Sequence, residues 1–282
     1  MVPVVDNQNP HSLLYGNRYL GPETRHELFA NWLLFDQFSG TSVFACIGGI
    51  YTHDKTGFST SINDSLVQVI HIINTRDEIR TNASVEFSTP LKFSRLNIHL
   101  ALEGGWNKGQ TFVNQVDNIS TNLSRSIRLS FANLKKNKWD IDFGAELGLT
   151  NSKYSVQESM NNRYFNLNYF ADLAFTPNET WHFGFKSDVV YNRSKSFTDN
   201  VNIQLLSAEV GYNFLANKRG MLMLEAYDLL NKNSGINRIS EMNYLRETRS
   251  NIIGRYLMLS FKYRLNKAAK SAGGLDIDVR KR

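Results

Sequence analysis

From Trp139 to Thr150 the chain alternates without a break. Trp139, Ile141, Phe143, Ala145, Leu147 and Leu149 fall on one side of an extended backbone, and Asp140, Asp142, Gly144, Glu146, Gly148 and Thr150 on the other. A period of two predicts a β-strand with one apolar and one polar face. The run is about twice an average soluble strand. It suits the roughly nine to eleven residues that a tilted strand needs to cross a bilayer.

The pattern recurs on both sides of this stretch. Ile79, Ala83, Val85 and Phe87 alternate with Arg80, Asn82, Ser84 and Glu86 and stop at Pro90, expected to end the strand. Leu96, Ile98, Leu100, Leu102 and Trp106 oppose Asn97, His99, Ala101 and Glu103. A looser segment at 108–118 leads into Leu123, Ile127, Leu129 and Phe131, which oppose Asn122, Ser126 and Arg128. Further on, Phe165, Leu167, Tyr169, Leu173 and Phe175 oppose Asn166, Asn168, Phe170 and Asp172. Trp181, Phe183 and Phe185 oppose His182, Gly184, Lys186 and Asp188. Three more strands follow: Leu206 to Phe214 with Glu209 on the polar side, Leu222 to Ala226 with Glu225, and Leu257, Leu259, Phe261, Tyr263 and Leu265 with Lys262 and Arg264.

Residues 1–23, rich in Pro and Gly, read as loop. Two apolar segments at 24–36 and 42–53 read as strands whose facing stays open, because Trp32 and Leu34 compete with Phe29, Leu33 and Phe35. A long excursion is expected from 53 to 75, with a short β-prone piece from Val67 to Ile73, and another loop from Asp228 to Asn243.

Short turns are predicted near 37, 90, 135, 177 and 218, and longer connections near 60, 113, 158, 197 and 236. A soluble sandwich with one wet face shares the alternation, so strand length and the segregation of loop lengths decide for a membrane barrel. The expected fold is all-β: an antiparallel transmembrane β-barrel segment of about eleven long strands. Glu86, Glu103, Arg128, Asp142, Glu146, Lys186, Asp188, Glu209, Glu225, Lys262 and Arg264 are expected to line a wet lumen, since charge is expensive in hydrocarbon. Trp139, Ile141, Phe143, Leu147, Phe165, Leu167, Phe175, Trp181, Phe183, Leu257, Leu259 and Phe261 are expected to face lipid.

Composition adds limits to this picture. No run approaches a membrane-spanning helix, and a mean hydropathy of -0.35 is compatible with a barrel because alternation halves the apparent hydropathy of every strand. The net charge of +6 is spread through a chain with 26 acids. Its densest basic groups, Lys135, Lys136 and Lys138 and then Arg280, Lys281 and Arg282, read as a solvated turn and tail, so no nucleic-acid partner is expected. Cys46 is the single cysteine, which excludes an internal disulfide. The start, M-V-P-V-V-D-N-Q-N-P, carries no visible signal peptide.

Three passages resemble a known family. N-P-H-S-L-L-Y-G-N-R-Y-L-G-P-E at 9–23 is similar to a segment of TonB-dependent outer-membrane receptors, in particular the outer membrane protein beta-barrel type of Bacteroidota, with Arg18 and Tyr19 departing from the usual Asn-Pro. E-A-Y-D-L-L-N-K-N at 225–233 resembles the penultimate strand of that family, and S-N-I-I-G-R-Y-L-M-L-S-F-K-Y-R-L-N-K at 250–267 its closing strand. The resemblance implies the C-terminal half of a barrel of about 22 strands. It also implies a place in the outer membrane and a role in energised uptake of a nutrient or chelate. The partners implied are outer-membrane lipid and, by resemblance only, an upstream barrel half, a plug and the TonB system. Residues 1–23 then form an outer loop segment, 24–266 the barrel portion and 267–282 a polar periplasmic tail, and the chain is not expected to be competent alone.

No constellation points to chemistry. His11, His26, His53, His71, His99 and His182 show no spacing that suggests a metal site. There is no phosphate loop or nucleophile elbow, and the chain is expected to be neither an enzyme nor a cofactor protein. A non-transporting interaction or structural barrel is the alternative.

Overall fold

The computed structural model describes residues 5–9, 12–62, 67–113, 116–156, 158, 161–195, 201–215, 218–240 and 245–264. Leu265 and the tail at 267–282 lie outside them. In chain order the strands are β1 (Val5–Asn9), β2 (Ser12–Tyr15), β3 (Thr24–Asp36), β4 (Thr41–His53), β5 (Thr56–Ile62), β6 (Gln68–Asn74), β7 (Glu78–Leu91) and β8 (Leu96–Val113). They continue as β9 (Val116–Asn133), β10 (Trp139–Tyr154), β11 (Asn162–Phe175), β12 (Trp181–Ser194), β13 (Val201–Phe214), β14 (Gly220–Tyr227), β15 (Ile236–Ser240), β16 (Leu245–Arg249) and β17 (Tyr256–Tyr263).

β3, β4, β7 to β14 and β17 make one open antiparallel sheet, each strand beside its sequence neighbour, and this is the expected fold class, eleven strands and unclosed. The register preserves the alternation across strand boundaries. Ile141, Phe143, Ala145 and Leu147 of β10 sit opposite Leu173, Ala171, Tyr169 and Leu167 of β11, and Glu146 sits opposite Asn168. A slip of one residue would mix the two faces along the whole strand.

The apolar face ends in a run of rings at the short-turn end. Trp139 stacks on Phe175 at 4.3 Å, Phe175 reaches Phe183, Trp181 lies 4.8 Å from Tyr212, and Phe214 reaches Phe261. Contacts from Phe183 to Trp181 and from Tyr212 to Phe214 complete it. Gly220 of β14 stands between Phe214 and Tyr263 in the register, and a Cβ there would come within 2.8 Å of Leu215 and 3.2 Å of the Phe214 ring.

Four stretches differ from the sequence expectation. β7 continues through Pro90, which pairs with Asn97; the pairing with β4 has already ended at Ser42 and Ser88, so a missing N–H costs little there. The looser segment at 108–118 belongs to β8 and β9, paired from Lys108 and Thr121 to Val113 and Val116. Residues read as loop hold the β1–β2 hairpin, with β2 parallel to β6, and β5 meets β8 in parallel at Ser59 and Thr60. The loop after Asp228 holds the β15–β16 hairpin.

The facing left open for the first two strands is settled by register. Leu28, Ala30, Trp32 and Leu34 share the apolar face with Val43, Ala45 and Ile47. Phe29, Leu33, Phe35 and Phe44 fall on the polar face, so β3 is apolar on both sides and offers alternation no contrast.

Gly144 is where the polar face is tightest. A Cβ there would lie 2.4 Å from the Leu129 carbonyl oxygen and 2.8 Å from the Phe170 ring, whereas one at Gly148 would meet nothing closer than 3.7 Å. Gly144→Val is expected to destabilise the folded sheet by about 1–3 kcal/mol and Gly148→Ala by less than about 0.5 kcal/mol, measured by urea unfolding in lipid.

Candidate functional site

The candidate site is the polar face of the long sheet. Polar and apolar residues are separated there by strand parity, so charges distant in sequence meet along rows that cross the strands. One row runs from Glu86 past Ala101 to Arg128, then to Glu146 and Asn168. Arg128 Nη1 approaches a Glu146 carboxylate oxygen at 3.9 Å, and its guanidinium lies 4.8 Å from the centre of the Phe170 ring. The ring leans over the space left by Gly144. An Arg over an aromatic face keeps its charge while burying its flat side.

A second row joins Asp142, Asp172, Lys186 and Ser207. Two carboxylates face each other there, and Lys186 Nζ stands 3.7 Å from Asp172. Nearer the short-turn end, His182 Nε2 is 2.9 Å from Glu209 Oε1, and its Nδ1 is 3.2 Å from Thr176 Oγ1. Gly184 makes room for Glu209, since a Cβ there would come within 2.5 Å of it. Glu209 in turn sits opposite Glu225. The second row and Glu209 with Glu225 border a recess of about 790 Å³ whose charged lining includes Asp140, Asp142, Asp172, Glu209, Glu225, Lys136 and Lys186.

The remaining residues expected on this face keep its parity. Glu103 is opposite Ser84 and Ser126, Asp188 opposite Phe170 and Lys262 opposite Met221. Arg264 follows β17 at the same parity, and its N–H donates to the Arg219 carbonyl. The Oδ1 atoms of Asn166, Asn168 and Asn192 are buried without a hydrogen-bond partner among the described residues. Asn166 and Asn192 stand directly opposite each other.

The other face carries Trp139, Ile141, Phe143, Leu147, Phe165, Leu167, Phe175, Trp181 and Phe183 in continuous register across β10 to β12. Leu257, Leu259 and Phe261 extend it on β17. The sequence model of the outer membrane protein beta-barrel family matches residues 1–263. The chain belongs to this family. Its place is therefore the outer membrane. A search of curated proteins returned no match.

Membership directs attention to the end of the sheet with the longer connections, where sequence reasoning missed two constellations. In the first, His53 Nδ1 lies 2.7 Å from Asp77 Oδ1, Tyr51 donates to the same carboxylate, and the Asp54 N–H points at it from 3.4 Å. His53, Asp54 and Asp77 are clustered closely enough to share an ion but are exposed, and Asp77 is already taken up by these hydrogen bonds. Behind them Glu78, almost fully buried, is held by both Lys55 and Arg80. Only the β5–β6 excursion, returning the chain beside β4, brings these groups together. No spacing in the sequence signals it.

The second constellation joins the two C-terminal motifs. Asp228 is fully buried; its carboxylate accepts from the N–H groups of Lys232 at 3.0 Å and Asn233 at 3.2 Å. Asn231 Oδ1 accepts from the Arg255 N–H at 3.1 Å, and a Cβ at Gly254 would come within 2.7 Å of that oxygen. The residues that carry the resemblance thus form a lock between β14 and β17.

Hydrogen bonds from Tyr51 and His53 hold the Asp77 carboxyl below the usual carboxylate range. A depressed pKa means that the brace is at full strength above the ordinary carboxylate pKa and is lost as pH falls through the lower folded value. Protection of the amides at residues 53–56, taken relative to the intrinsic exchange rate at each pH, is expected to fall on acidification through that window, and Asp77→Asn is expected to show the lowered protection already at neutral pH. Asp228→Ala leaves buried N–H groups without acceptors and is expected to cost about 1–3 kcal/mol, with protease cutting appearing first at residues 228–235.

Proposed function

We propose that the chain forms the closing portion of a TonB-dependent receptor-like barrel and serves energised uptake of a nutrient or chelate. An upstream barrel segment, a plug and the TonB system are its partners, outer-membrane lipid covers its apolar face, and the polar face lines the lumen. The open sheet carries this reading. Among the described residues β3 pairs only with β4, and β17 ends the strand order beside β14. Across eleven antiparallel strands the first and last run in the same sense. Joined directly they would make a parallel seam, whereas an odd number of further strands closes the sheet antiparallel throughout. Free edges are not tolerated in hydrocarbon.

The two faces support the same reading. A face with paired carboxylates, Lys and Arg suits water rather than acyl chains, and water supplies partners for the buried amide oxygens of Asn166, Asn168 and Asn192. The longer connections then face outside, as in barrels of this kind, and the extended β8–β9 hairpin with the β1–β2–β6–β5 flap offers the surface that meets a ligand first. Nothing in the polar rows suggests bond-making chemistry, so the chain is read as a conduit rather than an enzyme.

The test is expression with an export signal, alone and together with the coding segment immediately upstream in the genome. A heat-modifiable, protease-resistant outer-membrane species is expected only from the pair. The same species from the chain alone would replace this reading with a self-contained interaction or structural barrel.

A further inference from the structure

Along β8 to β12 the apolar face gives way abruptly to cations at the end with the longer connections. The belt runs from Trp139 to Leu149 on β10, from Phe175 to Phe165 on β11 and from Trp181 to Tyr191 on β12, each roughly the length a tilted strand spends in hydrocarbon. The next outward-pointing positions are basic: Arg163 on β11, Arg193 on β12, and beyond them Lys153 and Lys195, with Arg125 of β9 level with Leu149. All five are exposed. Together they border a recess of about 1130 Å³.

No described carboxylate forms an ion pair with any of the five. On this face of β8 to β12 the one acid among the described residues is Asp117, which Arg76 approaches at 3.7 Å. The other carboxylates of the same strands lie on the opposite face. The floor of the recess is apolar, with Trp106, Leu123 and Leu149, and with Phe165 packed edge-on against Tyr191 at 6.2 Å. Arg163 is braced by its Nε donating to Asn151 Oδ1 at 3.1 Å, which leaves its terminal nitrogens for a ligand.

We infer that this recess binds an outer-leaflet lipid with a phosphorylated headgroup, its phosphates on Arg125, Arg163 and Arg193 and its acyl chains against the belt below. Apolar floor and cationic rim at the level where hydrocarbon meets water fit a ligand that is apolar at one end and anionic at the other. Arg matches the fork of phosphate oxygens. A solvated basic surface would have no reason to exclude carboxylates or to sit directly on the belt. The inference rests on the membrane barrel itself and not on the uptake reading, so it survives if the chain proves to be a structural barrel.

The full chain, with whatever barrel segment accompanies it, is purified from outer membranes in mild detergent. Diphosphorylated lipid A, the same lipid with its phosphates removed, and inorganic phosphate are then titrated in turn, with occupancy read by native mass spectrometry. The phosphorylated lipid is expected to bind about tenfold or more tightly than the dephosphorylated one, since charge-assisted hydrogen bonds to two phosphates are lost. R163A/R193A is expected to remove that preference, whereas K135A/K138A at the opposite end keeps it. Equal binding of the two lipids by the unaltered protein overturns the inference without any variant, and inorganic phosphate binding as tightly as the lipid overturns the assignment to a lipid.

Discussion

Every other feature of this chain depends on backbone hydrogen bonding in a medium that supplies no partners. In hydrocarbon an unpaired N–H or C=O costs several kcal/mol, so strands must pair along their full membrane depth. Pairing in register fixes side-chain parity across the sheet. Once Ile141 is opposite Leu173, Glu146 must be opposite Asn168, and the division into an apolar and a charged face follows without further instruction. The same requirement makes the edges of β3 and β17 the least self-sufficient parts of the sheet.

Alternation was legible where the two faces of a strand differ in polarity. The strands from Ile79 to Phe261 were readable for that reason, and their connections could be placed within a few residues. Legibility failed where that contrast is absent. At 108–118 polar residues occupy both parities and Gln110 and Asn118 are buried, so the residues show no period although the backbone pairs as far as Val113 and Val116. On β3, Phe29, Leu33 and Phe35 make the second face apolar too, and facing had to come from the register with β4. Pro90 misled because its cost depends on whether a neighbour needs its N–H, and the neighbouring strand has already turned away.

The charged residues divide in the same way. That Arg128 and Glu146 share a face follows from parity, but their meeting over Phe170 depends on the register of β9, β10 and β11. The hydrogen bonds to Asp77 from Tyr51 and His53, and the clasp on Glu78 by Lys55 and Arg80, depend on a chain excursion that no local pattern encodes. The link from Asn231 to Arg255 lies between these extremes: both residues fall in passages that resemble the family, while their contact is a fact of the fold.

The rings that run from Trp139 through Phe175, Phe183, Trp181, Tyr212 and Phe214 to Phe261 touch in sequence across neighbouring strands. Aromatic side chains at a headgroup boundary resist movement in either direction along the membrane normal. Because these are in mutual contact, none can change depth independently. With this face proposed to meet lipid, a bilayer thicker or thinner than the belt would deform around this side of the protein, and mismatch would be met by the lipid rather than by strands sliding past one another.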